Sequence, residues 1–310
     1  METMMFDRDS KAVMPSVATI GMFDGVHRGH RFVLKQVSDY AKAHGLASTV
    51  ITFDRHPREI VLSNWHPMLL TTYEERIRLL EETGVDRCVI LPFTKEMAAL
   101  SSYDFMQLMA DKLGVKVLML GYDNRFGHDR ESTFEDYVKH GKEVGMEVKS
   151  LTPAPSPVER GETVSSSMIR RLLAKGDVVG AAEALSYCYR ITGTVVKGEH
   201  VGTGLGFPTA NLQPPDAHKL IPAAGVYAVR CLMTDGEWKK GMMNIGTRPT
   251  FGKHQQTLEV HVLDFEGDLY GQAITVEFIA RIRNEQRFEH EEELIAQLKE
   301  DRKRIENLII

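Results

Sequence analysis

The stretch Val17-Ala-Thr-Ile-Gly21-Met-Phe23-Asp24-Gly25-Val-His27-Arg-Gly29-His30, continuing as Arg31-Phe32-Val33-Leu-Lys-Gln-Val37-Ser-Asp-Tyr40-Ala41, decides the fold of the first half. Val17–Gly21 is a short apolar run of strand type. Phe32, Val33, Val37, Tyr40 and Ala41 recur on one face of a helix, which Gly45 stops. Further strands are predicted at Ala47–Phe53, Arg87–Phe93, Lys116–Leu120 and Glu147–Leu151. Phe105, Leu108, Met109 and Leu113 form a second helical stripe, which Ser101 or Ser102 caps. Short strands alternating with helices of this length predict an α/β domain with a parallel sheet. The glycine-rich turn then lies at the carboxyl end of a strand, where open sheets of this kind bind ligands.

The texture changes at about Tyr189. Arg190–Val196, Gly225–Leu232, Lys239–Ile245, Thr257–Leu263 and Ala273–Ile279 are strand-like and are separated by glycine and proline rather than by helical patterns. This predicts an antiparallel β-barrel. A terminal helix follows, with Leu294, Ile295, Leu298, Ile305, Leu308 and Ile309 on its apolar side. A chain of 310 residues has room for two such domains at roughly 150 residues each.

Composition narrows the function. Lysine plus arginine number 38 against 43 aspartates and glutamates, a formal charge of −5, so the chain lacks the basic surplus of a polynucleotide-binding protein. No window approaches the roughly 18 apolar residues that a membrane span needs. Asp7, Arg8, Asp9 and Lys11 interrupt any signal-peptide run. Cys88, Cys188 and Cys231 are spaced too widely for a zinc knuckle and suit a reducing compartment. The expectation is a cytoplasmic protein with small-molecule partners and neither nucleic acid nor membrane.

The turn carries chemistry. Its glycines let backbone approach a ligand, and the helix behind it offers unpaired N–H groups to an anion. His27 and His30, three residues apart, project from one face near the positive end if the helix has begun. There they can donate hydrogen bonds to phosphate oxygens and stabilise charge growing on a leaving pyrophosphate. The stretch is neither a Walker A sequence nor a G-x-G-x-x-G fingerprint.

With these residues in place, G-x-F-D-G-V-H-x-G-H resembles the HxGH nucleotidylyltransferase motif in the form used by bacterial FAD synthetases, the bifunctional riboflavin kinase/FMN adenylyltransferases. Phe53-Asp-Arg-His56-Pro57 resembles their F-x-P-H-P segment, and Gly121-Tyr-Asp123-Asn-Arg-Phe126-Gly127 their G-x-[DN]-F-x-F-G. Ser165-Ser-Ser167-Met-Ile-Arg170 resembles S-S-T-x-I-R. The resemblance implies a Rossmann-like nucleotidylyltransferase domain in which His27 and His30 are catalytic. It also implies that Gly21, Phe23, Asp24, Gly25, Ser167 and Arg170 bind nucleotide, and that Phe53, His56, Pro57, Asp123 and Phe126 bind flavin. An arginine beside serine caps at a helix start suits that role, because its fork matches phosphate. Arg55, Asn124 and Ser167 depart from the pattern, standing for proline, phenylalanine and threonine. Because the serine–arginine motif belongs to this activity, Pro153, Pro155 and Pro157 mark an internal loop. The domains are expected to be 1–186 and 187–310.

In the second half, Gly202-Thr-Gly204-Leu-Gly206-Phe-Pro208-Thr209-Ala-Asn211 is glycine-rich but has the wrong spacing for a dinucleotide fingerprint. Such a stretch can wrap phosphates and offer oxygen ligands to magnesium. It resembles the L-G-F-P-T-A-N-L motif of riboflavin kinases. Gly225-Val-Tyr-Ala, Asn244-Ile-Gly-Thr-Arg-Pro-Thr-Phe251, Leu258-Glu259-Val-His-Val-Leu-Asp264 and Arg283-x-Glu-x-x-Phe288 support the match. The resemblance implies that Gly206, Thr209 and Asn211 bind nucleotide, that Thr209 and Asn211 hold Mg²⁺, and that Glu259 is the base on the 5′-hydroxyl of riboflavin. Strand periodicity sets Glu259 and His261 on the face opposite Leu258, Val260 and Val262. Lys197 stands where the family has histidine and Thr203 where it has arginine, which predicts weakened nucleotide binding by the kinase. ATP, riboflavin and FMN are thus the expected partners, with Mg²⁺ as cofactor and FAD as product. HxGH alone is shared with enzymes that adenylylate nicotinamide mononucleotide or phosphopantetheine. The kinase-like half supplies the flavin context.

Overall fold

The computed structural model describes residues 1–7, 14–61, 68–121, 125–128, 133–153, 163–197, 204, 206–250 and 253–308. Their contacts divide the chain into two compact units, Met1–Ser166 and Ser167–Ile310. Asp123, Asn124, Thr203, Leu205, Phe251 and Ile309 lie outside the described residues.

The first unit is a parallel sheet with helices on both faces. Its elements are β1 (Glu2–Met5), β2 (Ser16–Ile20), α1 (Arg28–His44), β3 (Ala47–Phe53), α2 (Pro57–Val61), α3 (Tyr73–Glu81), β4 (Arg87–Leu91), α4 (Lys95–Ala98), α5 (Ser102–Leu113), β5 (Val115–Leu120), α6 (Phe134–Glu143) and β6 (Glu147–Ser150). The strand order is β1-β4-β3-β2-β5-β6, with every pair parallel. Strand order therefore reverses between β2 and β5, the point where such sheets open a crevice at their carboxyl ends. Val17, Val117 and Met119 meet Val37 and Ala41 of α1 on one face. Ala18, Ile20, Ile51, Val89 and Leu118 meet Phe105, Met106 and Met109 of α5 on the other. Covering both faces explains why β2 and β4 are buried along their whole length.

Local signals act as expected at α1 and α5. Gly45 adopts φ 65° and its N–H bonds Ala41, closing α1, while Ser101 rather than Ser102 caps α5. Strand bounds shift by a residue or two from the sequence reading. β4 ends at Leu91, because Pro92 brings no N–H to a ladder. β1 was not foreseen: Glu-Thr-Met-Met has no alternation and is largely exposed, and the strand is set by pairing with β4.

The second unit contains α7 (Ser166–Ala174) from its second residue on, α8 (Val178–Leu185), β7 (Arg190–Val196), β8 (Ala210–Gln213), β9 (Gly225–Leu232), β10 (Trp238–Thr250), β11 (Lys253–Val262), β12 (Ala273–Arg283) and α9 (Glu291–Glu306). The strands close into an antiparallel barrel in the order β10-β11-β8-β7-β12-β9. Ile191, Val229, Met243, Val260, Val276 and Phe278 alternate inward and are fully buried. The outer face of β9 and β10 is not left to solvent. Leu298, Ile305 and Leu308 pack there against Phe207, Val226 and Met242. β8 was read as loop, since its residues fall inside the glycine-rich motif, but it pairs with both β7 and β11.

Candidate active sites

In the first unit the loop between β2 and α1 is wound tightly. Phe23 has φ 52°, Gly25 82° and Val26 36°, so two residues with side chains sit in left-handed backbone. That costs free energy, most for the β-branched Val26, and such strain persists where surrounding bonds over-determine it. Asp24 supplies those bonds. It is 3% exposed, and its carboxylate accepts from the Leu70 N–H, the Thr71 N–H and the Thr71 hydroxyl. The Gly25 N–H donates to the same hydroxyl, and the Asp24 carbonyl accepts from Ser166. Asp24 thus braces the loop from behind, and Phe23, also buried, meets the His30 ring edge-on at 5.2 Å.

The histidines are brought together in a way that spacing alone did not give. His27 precedes the helix as its N-cap, and its Nδ1 accepts the His30 N–H at 3.3 Å. An accepting Nδ1 carries no proton, so a neutral His27 carries it on Nε2. The rings stack with centroids 3.6 Å apart. Gly29 permits this, because a Cβ there would lie 3.1 Å from His27 Cε1. His30 Nδ1 is shut off from solvent and unpartnered. Burial, and secondarily the neighbouring His27, hold the His30 pKa well below the ordinary histidine value. Burial therefore favours a neutral His30 ring at the N-terminus of α1.

Beside this loop a cavity of about 400 Å³ opens between Met22, Phe53, His56, Pro57, Phe93, Met97, Leu100, Phe105 and Phe126. It has the size and apolar lining of a site for a flat ring system. Phe53, His56, Pro57 and Phe126, expected at a flavin site, all line it. Met22, Met97 and Leu100 line it too, as do Phe93 and Phe105, which the sequence places only in a strand and a helix. Asp123 falls outside the described residues. Arg55, in place of proline, turns its N–H and Nε to Asp54, whose Oδ1 also holds the Phe93 N–H.

In the second unit, Ser167 is exposed and Arg170 half-buried, both in the first turns of α7. The barrel carries two neighbouring cavities. One, about 200 Å³, lies among Val196, Lys197, Thr209, Val260, Asp268 and Tyr270. The other, about 270 Å³, lies among Phe207, Thr209, Asn244, Glu259, Arg283, Phe288 and Leu298. Thr209 lines both. Glu259 does turn away from Leu258 and Val260, but to a half-buried position under the side chains of α9. It stands in register with Asn211 of β8 on one side and Asn244 of β10 on the other. Val226 continues the row beyond Asn244, and Arg283 beyond Val226. His261, on the same face, is pinned through Nδ1 to the Pro208 carbonyl at 2.8 Å, which fixes the turn before Thr209. Arg283 donates to Asp301 of α9 at 2.8 Å, and Gln297 holds the other carboxylate oxygen. Lys197 lies 5.6 Å from the Tyr270 ring centre. Gly206 adopts φ 81°.

Comparison with known proteins also finds two parts in the chain. The FAD synthetase family model matches residues 9–168 and the riboflavin kinase model residues 185–309. The chain is 40% identical over 286 residues to the bifunctional riboflavin kinase/FMN adenylyltransferase of Escherichia coli (strain K12), covering 92% of this chain and 90% of that protein. It is 36% identical to the protein of the same name from Haemophilus influenzae, covering 91% of each. A crystal structure titled macrolide-efflux protein from Streptococcus pneumoniae superposes with a TM-score of 0.89 at 29% identity, covering 99% of this chain and all of that one. Among the described residues here, no helix is long and apolar enough to cross a membrane.

Proposed function

The chain belongs to the bifunctional riboflavin kinase/FMN adenylyltransferase family, and we propose that it makes FAD in two steps at the two sites described above. The barrel phosphorylates riboflavin with ATP to give FMN and ADP. The α/β unit transfers an adenylyl group from ATP to FMN, giving FAD and pyrophosphate. We assign residues 1–186 to adenylyl transfer and 187–310 to the kinase. The riboflavin kinase match, which begins at residue 185, supports that cut.

One observation carries the kinase reading: Thr209 lines both barrel cavities, while Glu259 lines only the second. A nucleotide in the first and a riboflavin chain in the second would meet at Thr209. Glu259 takes the proton from the 5′-hydroxyl as that oxygen attacks the terminal phosphorus, because an alcohol is a poor nucleophile until its proton has an acceptor. Asn211 and Asn244 stand beside it on the neighbouring strands. Thr209 and Asn211 offer neutral oxygens, the donor set that suits Mg²⁺ when phosphates supply the remaining ligands. The ion would neutralise phosphate charge there. Gly206 and its neighbours wrap the phosphates.

In the first unit, His27 Nε2–H and His30 face the charge that develops as pyrophosphate leaves, aided by the N-terminus of α1. Gly21, Phe23, Asp24 and Gly25 shape the loop for the nucleotide. Phe53, His56, Pro57, Asp123 and Phe126 take the isoalloxazine ring. Cytoplasmic residence is proposed as well. It is supported by three cysteines, all of them free thiols.

The test incubates the full chain with riboflavin, ATP and Mg²⁺ and separates the flavins. FMN followed by FAD is expected. Absence of both overturns the proposal, and FMN alone overturns the second step. Glu259→Gln should slow FMN formation by about 10² to 10⁴ while supplied FMN is still converted to FAD.

A further inference from the structure

Arg76 is 1% exposed, in the first turn of α3. Its Nη2 donates to the Phe53 carbonyl, its Nη1 approaches Met22 Sδ at 3.4 Å, and its Nε has no hydrogen-bond partner. It makes no ion pair among the described residues. Asp24, Cys88, Tyr73 and Asp54 face it from farther away. A buried cation without a direct carboxylate partner is costly, and an apolar side chain of similar volume would fill the contact between α3 and the sheet at lower cost. Stability alone therefore does not account for a guanidinium here.

An apolar residue could not do what the fork does. Phe53 ends β3, and Met22 follows β2 in the strained loop. The Thr52 hydroxyl already ties the same two segments by donating to the Met22 carbonyl at 3.3 Å. Arg76 adds a second tie from behind, and the side chains of both Met22 and Phe53 form walls of the 400 Å³ cavity.

We propose that Arg76 is a positioning residue of the flavin pocket, setting the spacing of Met22 and Phe53 without touching substrate. This rests on the adenylyltransferase reading of the first unit. The experiment compares Arg76→Met and Arg76→Lys with wild type in the full chain. It measures FAD formation at varied FMN, riboflavin phosphorylation by the same preparation, thermal melting, and hydrogen exchange in peptides spanning 20–24 and 52–56. Arg76→Met should melt at or above the wild-type temperature and raise the KM for FMN about tenfold, with kcat nearly unchanged. Exchange should quicken in those two peptides alone. Arg76→Lys, keeping the charge but not the fork, should fall between. An unchanged KM in both variants, or a loss of kcat alone that follows a lower melting temperature, overturns the proposal. If wild type forms no FAD, the adenylyltransferase reading fails by itself, and hydrogen exchange still decides whether Arg76 holds the two segments.

Discussion

Gly29→Ala separates catalysis from stability in the first unit. A Cβ at Gly29 would sit 3.1 Å from His27 Cε1 and 3.2 Å from its Nδ1, so the imidazole must give by a few tenths of an ångström. It cannot move toward His30, whose ring is already stacked at 3.6 Å. The remaining motion is rotation, which weakens the 3.3 Å bond from the His30 N–H. Rotation off a rotamer costs about 1 kcal/mol, and losing a cap costs about as much. Against this, alanine is favoured over glycine in a helix by up to about 1 kcal/mol. The net cost is about 1 kcal/mol, and Tm should fall by no more than about 4 °C. Catalysis has no such offset. A misplacement of 1 Å costs about 10²-fold, so a shift of a few tenths should cost several-fold to tenfold. The assay is the initial rate of FAD formation from supplied FMN, referred to riboflavin phosphorylation by the same sample. Unchanged adenylylation would show that the geometry of His27 is not what the chemistry uses. An equal fall in both activities would mean that the variant is simply unfolded.

Three other outcomes are expected. His30 stays neutral in the folded chain but takes a proton below about pH 6.5 once unfolded. The unfolded state then binds more protons, so the melting temperature of the first unit should fall as pH drops from 7 toward 5. His30→Asn should flatten that slope, and equal slopes would refute the assignment. Asp301 is fully buried against Arg283, so Asp301→Ala should destabilise the second unit by about 3 to 5 kcal/mol. It should also raise the riboflavin KM, and a melting curve like wild type would contradict this. Thr203→Arg, restoring the family's cation, should lower the KM for ATP in the kinase step; no change would show that its loss had been without effect.

What the sequence disclosed and what it withheld divide along a physical line. The phosphate loop was legible because glycines and histidines at short spacing, between a strand and a helix, constrain one another locally. The face carrying Glu259 was legible for the same reason, since strand period fixes it within a few residues. The roof over that face was not, because nothing in Leu298 or Phe288 says which wall they will cover. Asp24 read as a ligand to nucleotide. That its carboxylate also accepts from Leu70 and Thr71, 46 and 47 residues away, was not legible. Arg76 lies in a Glu-Glu-Arg-Ile-Arg run with no motif around it, and only the meeting of α3 with the ends of β2 and β3 gives it a task. β1 and β8, four residues each, carry too little pattern to announce themselves and exist by pairing. The residues proposed to touch substrate are thus set by local spacing, which a substitution can alter one at a time. Those that hold them in place are set by long-range pairing, where one change such as Arg76→Met moves two segments together. A search for function by motif will find the first class and pass over the second. In this chain the second class keeps Phe23 and Val26 in left-handed backbone.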